Sequence, residues 1–354
     1  MLTKLLSSVR SARDSKSSRL DTTCDFSLET LEERRMLAGN VDVMVRGDNV
    51  TLRGDNDANE LTITETGGMY IISGDNGTTL SGDLEPISSI NNLRLIMRDG
   101  ADIININTDV DVGGNLNVNT GRGEDMIKGT GKVTVGGNLA ANLGTENDTL
   151  DSTIKVGRNA RVVGGRGEDT ITLKVDEVGG SLNVSGGADN DTIMVTGDAA
   201  GMKKVVRNVS INTSSGNDTA YLTDLTIDGN SRFSTGSGID IGHIDEVAAN
   251  GNVRVATGTG TDTLNVGMAS AAGALKLDGR SFNVNMGGDN DTLNVKTTSI
   301  STLSTFARLS LQGGGGDGDQ ITGTGVTSQT ELGTNLEALF PSASTRVTGF
   351  ETVA

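Results

Sequence analysis

The sequence predicts an all-β protein, a parallel β-helix or β-solenoid with about three short strands per coil. Ten aspartates follow turns that are usually rich in glycine, and they recur at spacings of 21 to 29 residues. Val, Leu and Ile alternate with polar residues, and 50 glycines supply tight turns. A repeat of this length is typical of solenoids. The aspartates are Asp102, Asp125, Asp148, Asp169, Asp191, Asp218, Asp240, Asp262, Asp291 and Asp319.

Each coil follows the same order of strands. One strand leads into the turn, as in Gly180–Ser185, and a second begins at the aspartate, as in Asp169–Val175. A third, shorter strand follows, as in Lys132–Val135. Apolar and polar residues tend to alternate with period two, so one face of each strand points inward and the other faces water.

This alternation predicts the orientation of individual side chains. The residues expected to point inward are Ile171, Leu173, Leu182, Val184, Ile193, Val195, Leu264, Val266, Leu293 and Val295. The residues between them, expected to point outward, are Thr172, Asn183, Met194, Asn265 and Asn294.

The chain divides into four predicted segments. Residues 1–38 form a leader, residues 39–90 form irregular first coils, and residues 91–325 form the regular solenoid. Residues 326–354 form a C-terminal cap. Within the cap, a capping box and three leucines at helical spacing predict a short helix over residues 328–340, followed by a final strand.

Charge limits the classes of partner. The chain has a net charge of −17, and its first 38 residues contain seven basic and six acidic residues, so the remainder carries −18. A body this acidic repels nucleic acid and anionic lipid and attracts cations. No apolar run approaches the roughly 18 residues that span a bilayer. The sequence therefore predicts neither a nucleic-acid partner nor a membrane span.

The leader carries a resemblance that bears on localisation. It lacks the apolar stretch of a secretory signal, and it is expected to be a disordered leader or to form a short amphipathic helix over Asp25–Ala38. The segment Leu28–Ala38 resembles the LEPR-XLL-type motif of large planctomycete proteins, with Glu33-Arg34 where Pro-Arg is commoner. The whole chain is similar to exported β-helix repeat proteins of that group, which implies a secreted or cell-surface protein.

The turns contain the candidate metal ligands. Gly164–Thr172 fits the nonapeptide G-G-x-G-x-D-x-U-x, which resembles the calcium-binding repeats of RTX proteins. The resemblance implies Ca²⁺ held by turn carbonyls and aspartates. Here the motif occurs once per coil and only one copy is complete. The candidate ligands are Asp169, Asp191, Asp289, Asp291, Asp317 and Asp319.

A purely structural role is the alternative for these aspartates. Glycine provides the backbone freedom of a tight turn, and an aspartate can accept a hydrogen bond from its own nearby backbone N–H. Aspartates stacked about 4.8 Å apart would repel each other by roughly 1 kcal/mol per pair in water. The column must therefore extend into solvent, take up protons or attract cations.

Two functional classes remain. The first is a non-enzymatic, exported or cell-surface structural or adhesion module that binds a glycan, a cell-wall component or another surface protein through its polar faces. The alternative is a polysaccharide-acting β-helix enzyme, a lyase or hydrolase. The chain has no Trp, two Tyr and a single histidine, His243, which is expected to be an ordinary surface residue. No catalytic residue and no cofactor other than Ca²⁺ is predicted.

Overall fold

The computed structural model divides the chain into two compact units, Met1–Met36 and Leu37–Ala354. The described residues all belong to the second unit; the predicted leader (residues 1–38) and the predicted helix (residues 328–340) lie outside them. The described residues are 39–197, 203–205, 207–268, 275–277, 279, 281–296, 300–302, 308–316, 318–323, 344–348, 350 and 352–353.

The described residues form two long sheets, whose strands are numbered here in chain order. The 14 described strands of sheet A are β1 (Asn40–Arg46), β2 (Asn49–Arg53), β5 (Thr79–Gly82), β6 (Asn92–Asp99), β9 (Leu116–Arg122), β12 (Leu139–Thr145), β14 (Ala160–Arg166), β16 (Leu182–Ala188), β19 (Val209–Ser215), β22 (Ser231–Ser237), β25 (Val253–Thr259), β28 (Ser281–Gly288), β31 (Arg308–Gln312) and β33 (Ser344–Thr348).

The 20 described strands of sheet B are β3 (Glu60–Thr66), β4 (Met69–Asp75), β7 (Ile103–Ile106), β8 (Val110–Val112), β10 (Met126–Lys128), β11 (Lys132–Val135), β13 (Thr149–Val156), β15 (Thr170–Val178), β17 (Thr192–Gly197), β18 (Lys203–Val205), β20 (Thr219–Thr223), β21 (Leu225–Ile227), β23 (Ile241–Asp245), β24 (Ala248–Ala249), β26 (Thr263–Val266), β27 (Leu275–Leu277), β29 (Thr292–Val295), β30 (Ile300–Thr302), β32 (Gln320–Gly323) and β34 (Thr352–Val353).

From β6 onward, every strand pairing is parallel and joins one coil to the next. In sheet A, Leu139 of β12 pairs with Leu116 of β9 on one side and with Ala160 of β14 on the other. Each coil gives one strand to sheet A and two strand segments to sheet B, and in β13 and β15 these two segments are continuous. The prediction of a parallel β-solenoid is confirmed.

The core lies between the sheets, and its residues follow the predicted alternation. All ten apolar residues predicted to point inward are at most 3% exposed, whereas the five predicted to point outward are half-buried or exposed. Burying the apolar face of one coil requires its neighbours, so the stack folds as a unit. The described residues contain no helix long and apolar enough to cross a membrane.

Within residues 39–90, where irregular first coils are predicted, parallel and antiparallel strand pairings occur together. Strands β2 and β3 stack on the following coil in parallel, but β1 pairs with β2 and β4 pairs with β3 in antiparallel hairpins. Strand β5 then pairs with β1. Antiparallel strands thus cover the first coil in both sheets, where an open edge would otherwise be available for association.

Candidate functional site

The repeated aspartates form a continuous ladder inside the solenoid. In each coil the carboxylate Oδ1 accepts a hydrogen bond from the backbone N–H of the aspartate one coil earlier. The Asp148 N–H donates to Asp169 at 2.9 Å, and the Asp169 N–H donates to Asp191 at 2.9 Å. The ladder begins where the Asn59 N–H donates to Asp102 at 2.7 Å, and it extends to Asp319, which accepts a 2.8 Å hydrogen bond from the Asp291 N–H.

The backbone of the same residues continues this connection. The carbonyl of Asp148 accepts a 2.8 Å hydrogen bond from the N–H of Thr170 in the next coil. Each aspartate therefore contacts the coil before it through its side chain and the coil after it through its main chain. The expected aspartate turn, in which the carboxylate binds its own nearby N–H, is replaced by a bond between coils, because each side chain points inward and along the stack.

Burial makes this ladder unusual. All ten aspartates are at most 2% exposed. Although Oδ1 has its backbone donor, the second carboxylate oxygen, Oδ2, is buried without a hydrogen-bond partner in the nine aspartates from Asp102 to Asp291. A buried polar atom without a partner costs free energy, and an ionised one costs more. Each coil therefore contains one oxygen that joins coils and one that is desolvated.

The electrostatic consequence is a column of carboxyls that hold protons unusually well. Burial raises the pKa of Asp148 and of Asp191 to about 8, and charge on neighbouring aspartates adds to the rise. Burial likewise raises the pKa of Asp102 to about 7 and that of Asp169 to about 6, although hydrogen bonds from backbone N–H groups oppose it. Of the three expected outcomes for a stacked column, the geometry favours proton uptake.

The residue five positions before the aspartate shapes the space around Oδ2. At positions 164 and 186 it is glycine: a Cβ at position 164 would lie 2.3 Å from Oδ2 of Asp169, and one at position 186 would lie 2.1 Å from Oδ2 of Asp191. The first glycine of the nonapeptide at Gly164 is therefore explained by the packing of a buried carboxyl.

In other coils this position is threonine. The hydroxyl of Thr235 lies beside the Asp240 carboxyl, whose pKa is raised by burial and lowered to a smaller extent by the hydrogen bond from the Asp218 N–H. That hydroxyl also donates to the Thr257 carbonyl of the next coil at 3.0 Å. Since a hydroxyl has one proton, it cannot serve the carbonyl and the carboxylate together. Oδ2 of Asp240 is consequently left without a donor.

A second set of carboxylates lies outside the same turns. Asp189 and Asp289 are exposed and have φ angles of 76° and 74°. Oδ2 of Asp189 accepts a 3.2 Å hydrogen bond from the Gly167 N–H, and Oδ2 of Asp289 accepts one of 3.1 Å from the Gly260 N–H. These outer carboxylates therefore also connect one coil to the preceding one, but in contact with water.

The structure thus divides the six candidate metal ligands. Asp169, Asp191, Asp291 and Asp319 belong to the buried ladder, and Asp289 belongs to the outer set. Asp317 lies outside the described residues. Among the described residues, no group of three or more His, Cys, Asp or Glu side chains could hold a metal ion. Of the five candidates that the structure describes, only the exposed Asp289 is in a position to meet a cation from solvent directly.

Sequence reasoning missed a second set of bonds between coils, formed by asparagines at the turn before several of the sheet A strands. The Asn115 N–H donates to Oδ1 of Asn92 at 2.9 Å, and the Asn138 N–H donates to Oδ1 of Asn115 at 2.9 Å. Here the later coil donates to the earlier one, the reverse of the aspartate ladder. The sequence contains a signal for these bonds, since Asn recurs one residue before the strand. Examples are Asn159, before β14, and Asn208, before β19.

The histidine expected to be an ordinary surface residue has a specific partner. His243 of β23 is half-buried and stacks on Tyr221 of β20, with ring centroids 4.4 Å apart and an angle of 8° between the planes. The two residues are register partners in adjacent coils. Burial lowers the pKa of His243, against the opposing charge of Asp245. The pair extends the outward column of sheet B that also contains Met194.

The fold and ladder define the class of protein, a parallel β-solenoid built from coils that are joined by buried aspartates. Comparison of the chain with models of protein families, with curated proteins and with solved structures finds no match.

Proposed function

We propose that the chain is a non-enzymatic structural and adhesion module of the cell surface or the secreted fraction. The observation that carries this proposal is the aspartate ladder: the acid repeated in every coil is buried and hydrogen-bonded to the neighbouring coil. The acid that recurs once in every coil thus contributes to the cohesion of the stack. A stack of this kind offers long, regular outer faces to a glycan, a cell-wall component or another surface protein.

Export is the second part of the proposal and depends on the Leu28–Ala38 resemblance. The test is made with the full chain in the cells that naturally produce it, by adding protease to intact cells and measuring the protein in the cell and in the medium. We expect the protein at the surface or in the medium. Arg34→Ala/Arg35→Ala should retain it inside, whereas the matched pair Arg10→Ala/Arg13→Ala should not. Unchanged export of the first pair would contradict the role of the motif.

Weak Ca²⁺ binding is a further candidate function of the turns. It is supported by the pairing of an outer carboxylate with a buried one two residues later, as in Asp189 with Asp191 and Asp289 with Asp291. Carboxylate and carbonyl oxygens are the ligands that Ca²⁺ prefers. Binding at the buried members requires their deprotonation, so it competes with the proton uptake that burial favours.

A further inference from the structure

The outward face of sheet A contains a column of arginines. Arg94 of β6, Arg161 of β14, Arg232 of β22 and Arg254 of β25 occupy the same register position in their strands. We call these four residues the arginine column. Arg94 and Arg161 lie three strands apart, and so do Arg161 and Arg232. The distance along the stack is roughly 14 Å in each case. The last two are direct neighbours.

This face has the opposite charge to the rest of the molecule. The nine sheet A strands from β9 to β31 contain no Asp or Glu, in a chain whose net charge is −17. All four arginines of the column are exposed. Within the described part of the chain, none of them forms an ion pair. Their guanidinium groups are therefore available to an anion from outside.

Two grooves follow the column. The first has a volume of about 670 Å³ and lies between Arg94 and Arg161, where Ala140 leaves room between the longer side chains and Asn117 and Asn142 line the sides. The second has a volume of about 300 Å³ and is lined by Arg254, Arg308, Asn283, Asn285, Ser310 and Gln312. Both grooves thus combine guanidinium groups with uncharged amides, which donate and accept hydrogen bonds.

We propose that this face binds a linear polysaccharide that carries carboxylates. Guanidinium groups pair bidentately with carboxylates, and the amides between them suit the hydroxyls that separate the acid groups of such a polymer. Single-stranded nucleic acid fits less well, because its binding uses aromatic side chains for base stacking. The aromatic residues of the sheet A strands from β6 to β31, Phe233 and Phe282, are buried in the core. The inference rests on the proposed adhesion function and names its ligand class.

The test measures binding of the full chain to polygalacturonate in the presence of EDTA, which prevents gel formation by Ca²⁺. Fully methyl-esterified polygalacturonate is the matched neutral ligand. We expect salt-dependent binding to the acidic polymer only. The variant Arg232→Gln/Arg254→Gln should weaken that binding roughly tenfold or more, because it removes two adjacent bidentate partners. The matched control Arg158→Gln/Arg207→Gln makes the same change of charge in turns outside the column and should change binding less than about twofold.

Three results would overturn the inference. They are an equal loss of affinity in both double variants, equal binding of the esterified polymer, and no binding by the unmodified chain. A fourth result would reassign the face: self-association in sedimentation that the column variant abolishes, without polysaccharide binding, would identify a second copy as the partner. Melting curves of both variants check the fold. Surface localisation without polygalacturonate binding would leave the proposed function intact and remove only this inference.

Discussion

The backbone N–H of Asp169 donates a 2.9 Å hydrogen bond to Oδ1 of Asp191, and Oδ2 of the same Asp191 carboxyl is buried without a partner. The two oxygens of one side chain therefore have opposite effects. The first holds neighbouring coils in register, and the second makes ionisation of the carboxyl costly. The same arrangement recurs in the aspartates from Asp102 to Asp291, so the stability of the stack depends on their protonation.

Stability should fall as the pH rises from 5 to 8. Burial raises the pKa of Asp125, Asp169 and Asp262 from the ordinary 3.8 to about 6 and that of Asp148 and Asp191 to about 8. A raised folded-state pKa contributes stability that is complete below the unfolded pKa and is lost as the pH rises through the folded pKa. Each carboxyl that is neutral only when folded changes stability by about 1.4 kcal/mol per pH unit. Melting curves at constant ionic strength measure the trend; a melting temperature that is constant or rises over this range would refute it.

Asparagine should replace a ladder aspartate better than alanine does. In the unmodified chain the Asp218 N–H donates a 2.8 Å hydrogen bond to Oδ1 of Asp240. Asp240→Asn keeps an oxygen that can accept this bond and removes the ionisable group. Asp240→Ala leaves that buried N–H without an acceptor, at a cost of about 1–3 kcal/mol. Urea unfolding at pH 8 should therefore rank Asp240→Asn above Asp240→Ala and at least equal to the unmodified chain. The exposed control Asp111→Asn should have little effect. Equal stability of the Asn and Ala variants would show that the ladder bond contributes nothing.

Glycine is required where consecutive coils approach most closely. Gly165 has a φ of 136°, and a Cβ there would lie 2.0 Å from the Gly144 carbonyl oxygen of the preceding coil. Gly165→Ala should therefore destabilise the fold by roughly 2–5 kcal/mol through strain and displaced backbone. Gly288→Ala is the matched control, since nothing lies within 4 Å of a Cβ at that position. Denaturant midpoints compare the two variants, and similar values would contradict the close approach.

Adjacent residues of β16 test the register of the core. Val184 is 2% exposed, whereas Asn183 is exposed on the outer face. Val184→Asp buries an unpaired charge and should cost roughly 4 kcal/mol or unfold the chain. Asn183→Asp should change the free energy of unfolding by less than about 0.5 kcal/mol. Circular dichroism melts of the two variants measure the difference; a stable Val184→Asp variant would be incompatible with this core.

Calcium should stabilise the fold weakly if the turns bind it. Sites of this kind are expected to have dissociation constants on the order of 10⁻⁴–10⁻³ M. Ca²⁺ at ten times that value would add about 1.4 kcal/mol per independent site. The shift in melting temperature should be larger at pH 8 than at pH 5, because the buried aspartates must lose protons to bind metal. Mg²⁺ should shift it less.

The control for calcium is NaCl at equal ionic strength, since screening alone reduces the repulsion among carboxylates. Asp289→Asn should reduce the Ca²⁺ shift if the exposed member of the pair takes part. A Ca²⁺ shift no larger than the NaCl shift would remove the metal proposal and leave the aspartates as the structural and proton-binding groups of the stack.

The repeat and the direction of the core side chains could be predicted from the sequence because they depend on local pattern. Alternation with period two places Leu173 inside and Thr172 outside whatever the neighbouring coil contains. The recurrence of aspartate after a turn likewise predicts that successive turns stack. The N-terminal hairpins were harder to predict, because the strands β1 to β4 alternate in the same way whether they pair in parallel or antiparallel.

Only the tertiary structure decided where the aspartate side chains lie and which groups they contact. Seen alone, the segment Gly164–Thr172 is compatible with a solvent-exposed turn, a metal site or a buried bond. Which of these forms depends on the distance from Asp169 to the backbone of Asp148, 21 residues earlier, and on the space that Gly164 leaves beside the carboxyl. The sequence by itself determined a stack of alternating strands with one acid per coil. Only the stacking of coils placed that acid within reach of the preceding coil's N–H and away from water, because hydrogen bonding and desolvation depend on neighbours distant in the chain.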